Sequence, residues 1–284
     1  MPYLGLLCNA LAWGVSWWPL RELQQMGLHP LWATVVFFAL SVAVILVWSP
    51  GSARAVWRQP SLWALALAAG GTNAAFNWAV GIGDVVRVVL LFYLMPLWAV
   101  LLAWWLMGER ITPMALLRVV LALAGAVLVL SPADGGWPRF DGLADWLGLL
   151  GGMGFALTNV LLRREAQAPA MSRALAMFAG GTVFPLVLGS ALWSAGTIPG
   201  WPVGSVDWVG LALLTGLLFL GANLALQYGA ARLPVHTTSV VMLTEIVFAS
   251  VSAVWWGDAV LTPGIWWGGA LILAAALLAT RDTN

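Results

Sequence analysis

Gly71–Ala79 reads Gly-Thr-Asn-Ala-Ala-Phe-Asn-Trp-Ala, and 150 residues later Gly221–Gly229 reads Gly-Ala-Asn-Leu-Ala-Leu-Gln-Tyr-Gly. The same offset carries Ala99, Ala103 and Trp105 onto Ala249, Ala253 and Trp255, and Thr112-Pro113 onto Thr262-Pro263. The chain is a duplication. Its 284 residues are 62% apolar and 8% charged, whereas a soluble domain carries about 25% charged residues. Such a chain cannot cover a water-facing surface, so it is expected to be an all-α integral membrane protein. A duplicated helical membrane protein commonly holds its site where the two copies meet.

A helix crossing the hydrocarbon core takes about 20 mainly apolar residues. Ten such segments are expected, at about 3–20, 31–49, 62–80, 86–106, 113–131, 144–162, 173–194, 207–229, 236–256 and 264–280. Turn chemistry separates them at Ser49-Pro50-Gly51, Ser131-Pro132 and Pro199-Gly200. The first segment is read as a span and not a signal peptide, because no cationic region precedes it. Five spans separate equivalent points of the repeat, and five is odd. The halves, 1–135 and 136–284, should therefore insert with opposite orientation as an inverted repeat. With a cytoplasmic N-terminus the inner side holds Arg54, Arg58, Arg110, Arg118, Arg163, Arg164, Arg173, Arg232 and Arg281, and the outer side Arg21, Arg87 and Arg139. The positive-inside rule places both termini inside.

Polar groups within these segments are the candidate site. Asn73 and Asn77 lie four apart and share a helix face, as do Asn223 and Gln227, with Trp78 and Tyr228 next to them. An amide in hydrocarbon needs partners, so these faces should look inward, either lining a substrate cavity or clamping the halves together amide to amide. Glu245 falls within an apolar run whose repeat equivalent is Met95. A carboxyl group is expensive there, which suits proton carriage or ammonium binding, or else a hydrogen bond to a neighbouring helix. His236 begins the same span. Pro96, beside Tyr93, should kink the fourth span and serve as a hinge. Ser16 and Asn159 are the buried polar groups of the first and sixth spans. Most of the 20 tryptophans fit an interfacial belt; Trp13, Trp17, Trp78 and Trp98 lie deeper. No Walker lysine motif, zinc-peptidase motif or Gly-x-Ser-x-Gly occurs, so no enzyme activity, metal or cofactor is expected. The net charge of +1 gives no reason to expect a nucleic-acid partner.

The pattern Pro96…Gly108-Glu109-Arg-Ile-Thr-Pro113, and its second copy Thr244-Glu245-Ile-Val-Phe…Gly257-Asp258-Ala-Val-Leu-Thr-Pro263, resembles the drug/metabolite transporter superfamily in its EamA-like branch. Two departures occur: Ile246 stands where a proline often follows the glutamate, and Gly257-Asp258 replaces a glycine-glutamate pair. The tryptophan-rich interior is similar to that of the aromatic amino acid exporters. The resemblance implies export of amino acids across a bacterial inner membrane by alternating access, through a cavity lined by spans 1, 3, 4, 6, 8 and 9. It carries substrate contacts onto Trp17, Asn73, Asn77, Trp78, Tyr93, Asn223, Gln227, Tyr228, His236 and Glu245. A drug or other small metabolite is the alternative cargo. The chemistry of a zwitterion agrees with it: amide oxygens and Glu245 accept from an ammonium, amide nitrogens and His236 donate to a carboxylate, and aromatic faces suit an apolar side chain. Lipid is the expected surrounding partner, and one chain holds a whole pathway, so a monomer suffices.

Overall fold

The computed structural model describes residues 2–108, 110–132, 136–165, 167–202, 206–230, 232, 241–257 and 259–279. All regular structure among them is helical. The helices are α1 (Pro2–Gly14), α2 (Trp17–Gln25), α3 (Pro30–Trp48), α4 (Gly51–Arg58), α5 (Pro60–Ile82), α6 (Val85–Phe92) and α7 (Met95–Met107). They continue with α8 (Pro113–Leu130), α9 (Leu143–Arg164), α10 (Ala170–Ser194), α11 (Asp207–Ala230), α12 (Thr244–Trp256) and α13 (Pro263–Ala279). Six segments are long and apolar enough to cross a membrane: Pro30–Trp48, Val85–Leu106, Pro113–Leu130, Leu143–Leu162, Ala170–Ser194 and Asp207–Leu226. At about 1.5 Å per residue, α5, with 23 residues, also has the length to cross.

Prolines set the starts. α1, α3, α5, α8 and α13 each open on one, where the missing N–H is no loss and φ is already helical. The two Thr-Pro segments act alike: Thr112 Oγ1 accepts from Ala115 N at 3.1 Å, and Thr262 Oγ1 from Ile265 N at 3.3 Å. Each is an N-cap one residue ahead of the proline.

Prolines also set the breaks, and here two expected spans differ. Segment 3–20 is two helices, parted at Val15-Ser16. Pro19 cannot donate to Val15, four residues back, and the Ser16 hydroxyl takes the Trp13 carbonyl at 2.7 Å. Segment 86–106 parts at Tyr93-Leu94. Phe92, where α6 ends, is the residue whose carbonyl Pro96 leaves without a donor. The expected loop after Ser49 contains α4, a short helix carrying Arg54 and Arg58.

Packing relies on bare backbone. α5 crosses α10 at Gly70 and Gly180, where a Cβ on Gly180 would strike the Ala66 carbonyl. α8 crosses α13 at Gly125 and Gly268, and a Cβ on either would lie 2.6 Å from the other's carbonyl oxygen. Small residues let helices approach this way within a membrane. Other contacts fix directions. Thr72 meets Gly154 and Phe76 meets Gly151, so α5 and α9 are antiparallel. Gly5 meets Ala225 and Pro2 meets Gly229, so α1 and α11 are antiparallel. α5, α7 and α9 make no extended packing contact with α11 or α12 among the described residues.

Candidate functional site

Two helix breaks meet in the fold. Tyr93 sits in the turn between α6 and α7, and Glu245 lies in the first turn of α12. The Tyr93 hydroxyl donates to Glu245 Oε2 at 3.2 Å, and both side chains are buried. Gly14 leaves room for this approach, since a Cβ there would lie 2.8 Å from the Glu245 carbonyl oxygen. The carboxyl group thus joins the first half of the chain to the second.

An aromatic layer spreads from this pair. Phe92 lies 6.1 Å from Tyr93, 4.8 Å from Phe76 and 5.5 Å from Phe155. Phe76 meets the edge of Trp13 at 6.2 Å, and Trp13 stacks on Phe219 at 4.5 Å. Edge-to-face and offset pairs of this kind add about 0.5–1.5 kcal/mol each beyond area burial. The layer draws one ring each from α1, α5, α6, α9 and α11.

The amides distribute around the layer. Asn77 is fully buried and donates to Thr34 Oγ1 at 3.0 Å, leaving its own oxygen without a donor. Asn73, Asn159 and Asn223 each donate to the carbonyl four residues back, Ala69, Phe155 and Phe219, at 2.8, 3.0 and 2.9 Å, and Asn159 is exposed rather than buried as expected. No amide-to-amide clamp between the halves is seen among the described residues. Trp17 is buried and donates Nε1 to Ser252 Oγ at 2.9 Å. Trp78 stands edge-on to His29 at 5.1 Å. Tyr228 is instead exposed, its ring beneath the Arg232 guanidinium at 3.9 Å, and it is not gathered with Tyr93 and Glu245. His236 and the side chains of Gln227 and Pro96 lie outside the described residues.

The end of the bundle holding Gly83 and Gly257 is closed by charge. Arg87 forks onto Asp145, Nε to Oδ1 at 2.9 Å and Nη2 to Oδ2 at 2.8 Å. It also reaches Asp141 at 3.2 Å and the carbonyls of Val129 and Arg139. Bidentate pairs are among the stronger polar contacts. Arg21 lies over the Trp17 ring at 5.0 Å and donates to the carbonyls of Val80 and Gly83, at the end of α5. Beside it a cleft of about 220 Å³ is lined by Arg21, Asp84, Ala253 and Gly257 among others, and by none of the expected site residues. Sequence reading singled out Trp13 and Tyr93 of the aromatic layer but missed its phenylalanines, and it missed Thr34, Ser252 and Asp145. Hydroxyls and phenylalanines are ordinary in apolar helices, so only Asp145, a charge beside an apolar run, left a signal.

Residues 1–131 match the profile of the EamA-like transporter family. The match lies in the first half of the chain and is a similarity to that family. The expected resemblance stands at this level. The chain is also similar to an uncharacterized transporter, YojE, of Bacillus subtilis (strain 168). The two are 24% identical over 229 residues, which is 80% of this chain and 62% of the relative. This chain therefore spans less than two thirds of that relative's length. A solved crystal structure is similar over 99% of this chain and 96% of its own, with a TM-score of 0.60 and 24% identity, a likeness of fold.

Proposed function

We propose that this chain is a secondary transporter of the EamA-like kind that exports neutral amino acids, aromatic ones among them, by alternating access. The observation that carries the reading is the Tyr93–Glu245 contact. It is a buried carboxyl group in the first turn of α12, bonded across the two halves, where both helices are interrupted. Interrupted helices around a polar group at mid-depth are how transporters of this architecture hold their cargo. We read the chain as ten transmembrane helices in an inverted repeat of 1–135 and 136–284. α3 runs against α5, with Pro30 at Gly81 and Thr34 at Asn77, and alongside α11, with Phe37 at Gly216 and Ile45 near Leu220. The equivalent helices α5 and α11 therefore run in opposite directions, which supports this. The break at Leu243, 150 residues after Tyr93, supports it too. The proposed setting is a bacterial inner membrane with both termini cytoplasmic, and the Pro96 break is the proposed hinge.

Amino acids fit the chemistry of the interior better than the alternatives. Asn73, Asn77, Asn159, Asn223, Gln227, His236 and Glu245 supply donors and acceptors with little net charge. Trp17, Trp78 and Tyr228 extend the list the resemblance implies. A phosphorylated cargo would call for cations at the same depth, and the arginines that close one end of the bundle are engaged with Asp145 and backbone carbonyls. The test is counterflow of radiolabelled phenylalanine in liposomes holding the purified protein. Accumulation suppressed by unlabelled neutral amino acids, and not by nucleotide sugars or cationic drugs, is the expected result. Suppression by drugs alone would transfer the reading to efflux of amphipathic compounds. In the same assay Glu245→Gln should flatten any dependence of transport on pH; an unchanged profile removes Glu245 from a coupling role.

A further inference from the structure

Asn9 was not among the expected site residues, yet it is 1% exposed and its Nδ2 meets no acceptor among the described residues. It stands 150 residues before Asn159, just as Asn73 stands 150 before Asn223. Four asparagines therefore form two repeat-related pairs.

The fold brings them to one level. Each shares a helix face with a ring of the aromatic layer three or four residues away: Asn9 with Trp13, Asn73 with Phe76, Asn159 with Phe155, Asn223 with Phe219. On α1 and α5 the asparagine precedes the ring, and on α9 and α11 it follows. α9 runs against α5 and α11 against α1, while α3 runs against α5 through Pro30–Gly81 and Thr34–Asn77. α3 also runs alongside α11: Phe37 meets Gly216, and Ile45 shares a crevice with Leu220 and Asn223. These directions put all four amides on the same side of the rings, toward the end opposite Arg87 and Arg21.

Their hydrogen bonds then sort the atoms. Asn73, Asn159 and Asn223 each spend one N–H on the carbonyl four residues back, which only accepts, so each nitrogen is fixed there and each Oδ1 has no donor among the described residues. Asn9 leaves a donor. Three amide oxygens, with the unspent N–H groups of the four amides beside them and aromatic rings behind, are complementary to a primary ammonium with three N–H groups beside a carboxylate.

We propose that Asn9, Asn73, Asn159 and Asn223 form a recognition ring for the primary ammonium and carboxylate of an α-amino acid, with the three amide oxygens of Asn73, Asn159 and Asn223 selecting the ammonium. This rests on the transport reading and names the group within the cargo that is read. Hydrogen bonds to a charged group are the stronger kind, and loss of one in a buried site costs about tenfold or more in affinity.

Binding to the purified protein in detergent is measured by calorimetry for phenylalanine, phenethylamine, 3-phenylpropionate and N,N,N-trimethylphenylalanine. Phenylalanine should bind tightest, phenethylamine more weakly, and the trimethyl compound at least about tenfold worse than phenylalanine. Asn223→Leu and Asn73→Leu should each weaken both ammonium ligands. Asn223→Asp, of the same shape, should keep or tighten them and serves where the leucine variant is not monodisperse. Trimethylphenylalanine binding as well as phenylalanine, or leucine variants binding like wild type, overturns the ring. Binding of phenethylamine without phenylalanine, still sensitive to Asn223, keeps the ring and overturns the amino-acid reading. No binding by either ammonium ligand overturns the ring.

Discussion

His29 shows how one side chain ties local structure to a measurable property. It precedes the span that begins at Pro30, is buried against Trp78, and accepts from Leu31 N through Nδ1 at 3.2 Å. Burial lowers its pKa from the ordinary 6.5 to about 4, because a charged imidazole would lose its hydration and a protonated Nδ1 could not accept. Below pH 6.5 the unfolded chain takes up a proton that the folded site refuses until about pH 4. Stability from His29 is therefore complete above this window and falls as pH is lowered through it. His29→Asn keeps a capping side chain and removes the titration. Thermal unfolding of the two proteins should diverge as pH falls, wild type losing more, and parallel curves would refute the assignment. Nothing in the sequence marked His29 beyond its being a histidine. Glu245, Asn73 and Asn77 were legible because a polar group in an apolar run is costly wherever it points. Asn9 and Ser252 gained meaning only when α11 and α12 were brought against α1.

Helix by helix, the starts were written in the sequence and the interruptions only in part. A proline after a threonine announces a cap, and α8 and α13 begin where Thr112 and Thr262 say. Pro96 announced a kink, but a full break depends on what replaces the lost backbone bonds, and the Tyr93–Glu245 contact comes from across the fold. α4 was hidden because eight amphipathic residues resemble a loop in a hydropathy profile. Crossings were not legible either, since 31 glycines look alike until backbones meet. Gly180 and Gly221 make the contrast testable. An added Cβ at Gly180 would strike the Ala66 carbonyl, whereas one at Gly221 meets nothing within 4 Å. Gly180→Ala should force α5 and α10 apart at a cost of about 1–3 kcal/mol. Gly221→Ala should be neutral or stabilising by up to about 1 kcal/mol. Chemical unfolding in detergent measures both, and equal effects would mean that the α5–α10 crossing is not backbone to backbone.

Across the whole molecule the two ends are unlike. One is crossed by Arg87–Asp145, by Arg21 on the last carbonyls of α5, and by Trp17–Ser252. At the other Asn159 is exposed, and along their lengths α5, α7 and α9 make no extended packing contact with α11 or α12 among the described residues. A carrier that alternates between two openings needs a reversible closure at each end, and a buried charge pair is suited to that role. Removing the Asp145 charge takes away the bidentate partner and leaves Arg87 with Asp141 and two backbone carbonyls, so the closed arrangement should lose ground to one that hydrates Arg87. Cysteine labelling reads this directly once Cys8, which is exposed, is replaced by serine. A cysteine at Asn159 should react with an impermeant maleimide from one side of the membrane, while a cysteine at Ser252, beneath Trp17, should be protected. Introducing Asp145→Asn should expose position 252 to the opposite side and slow labelling at 159. If position 252 stays protected while 159 still reacts, Arg87 and Asp145 only hold the fold together. If both positions react from the same side, the two ends are not alternative openings of one pathway, and alternating access about the aromatic layer is wrong.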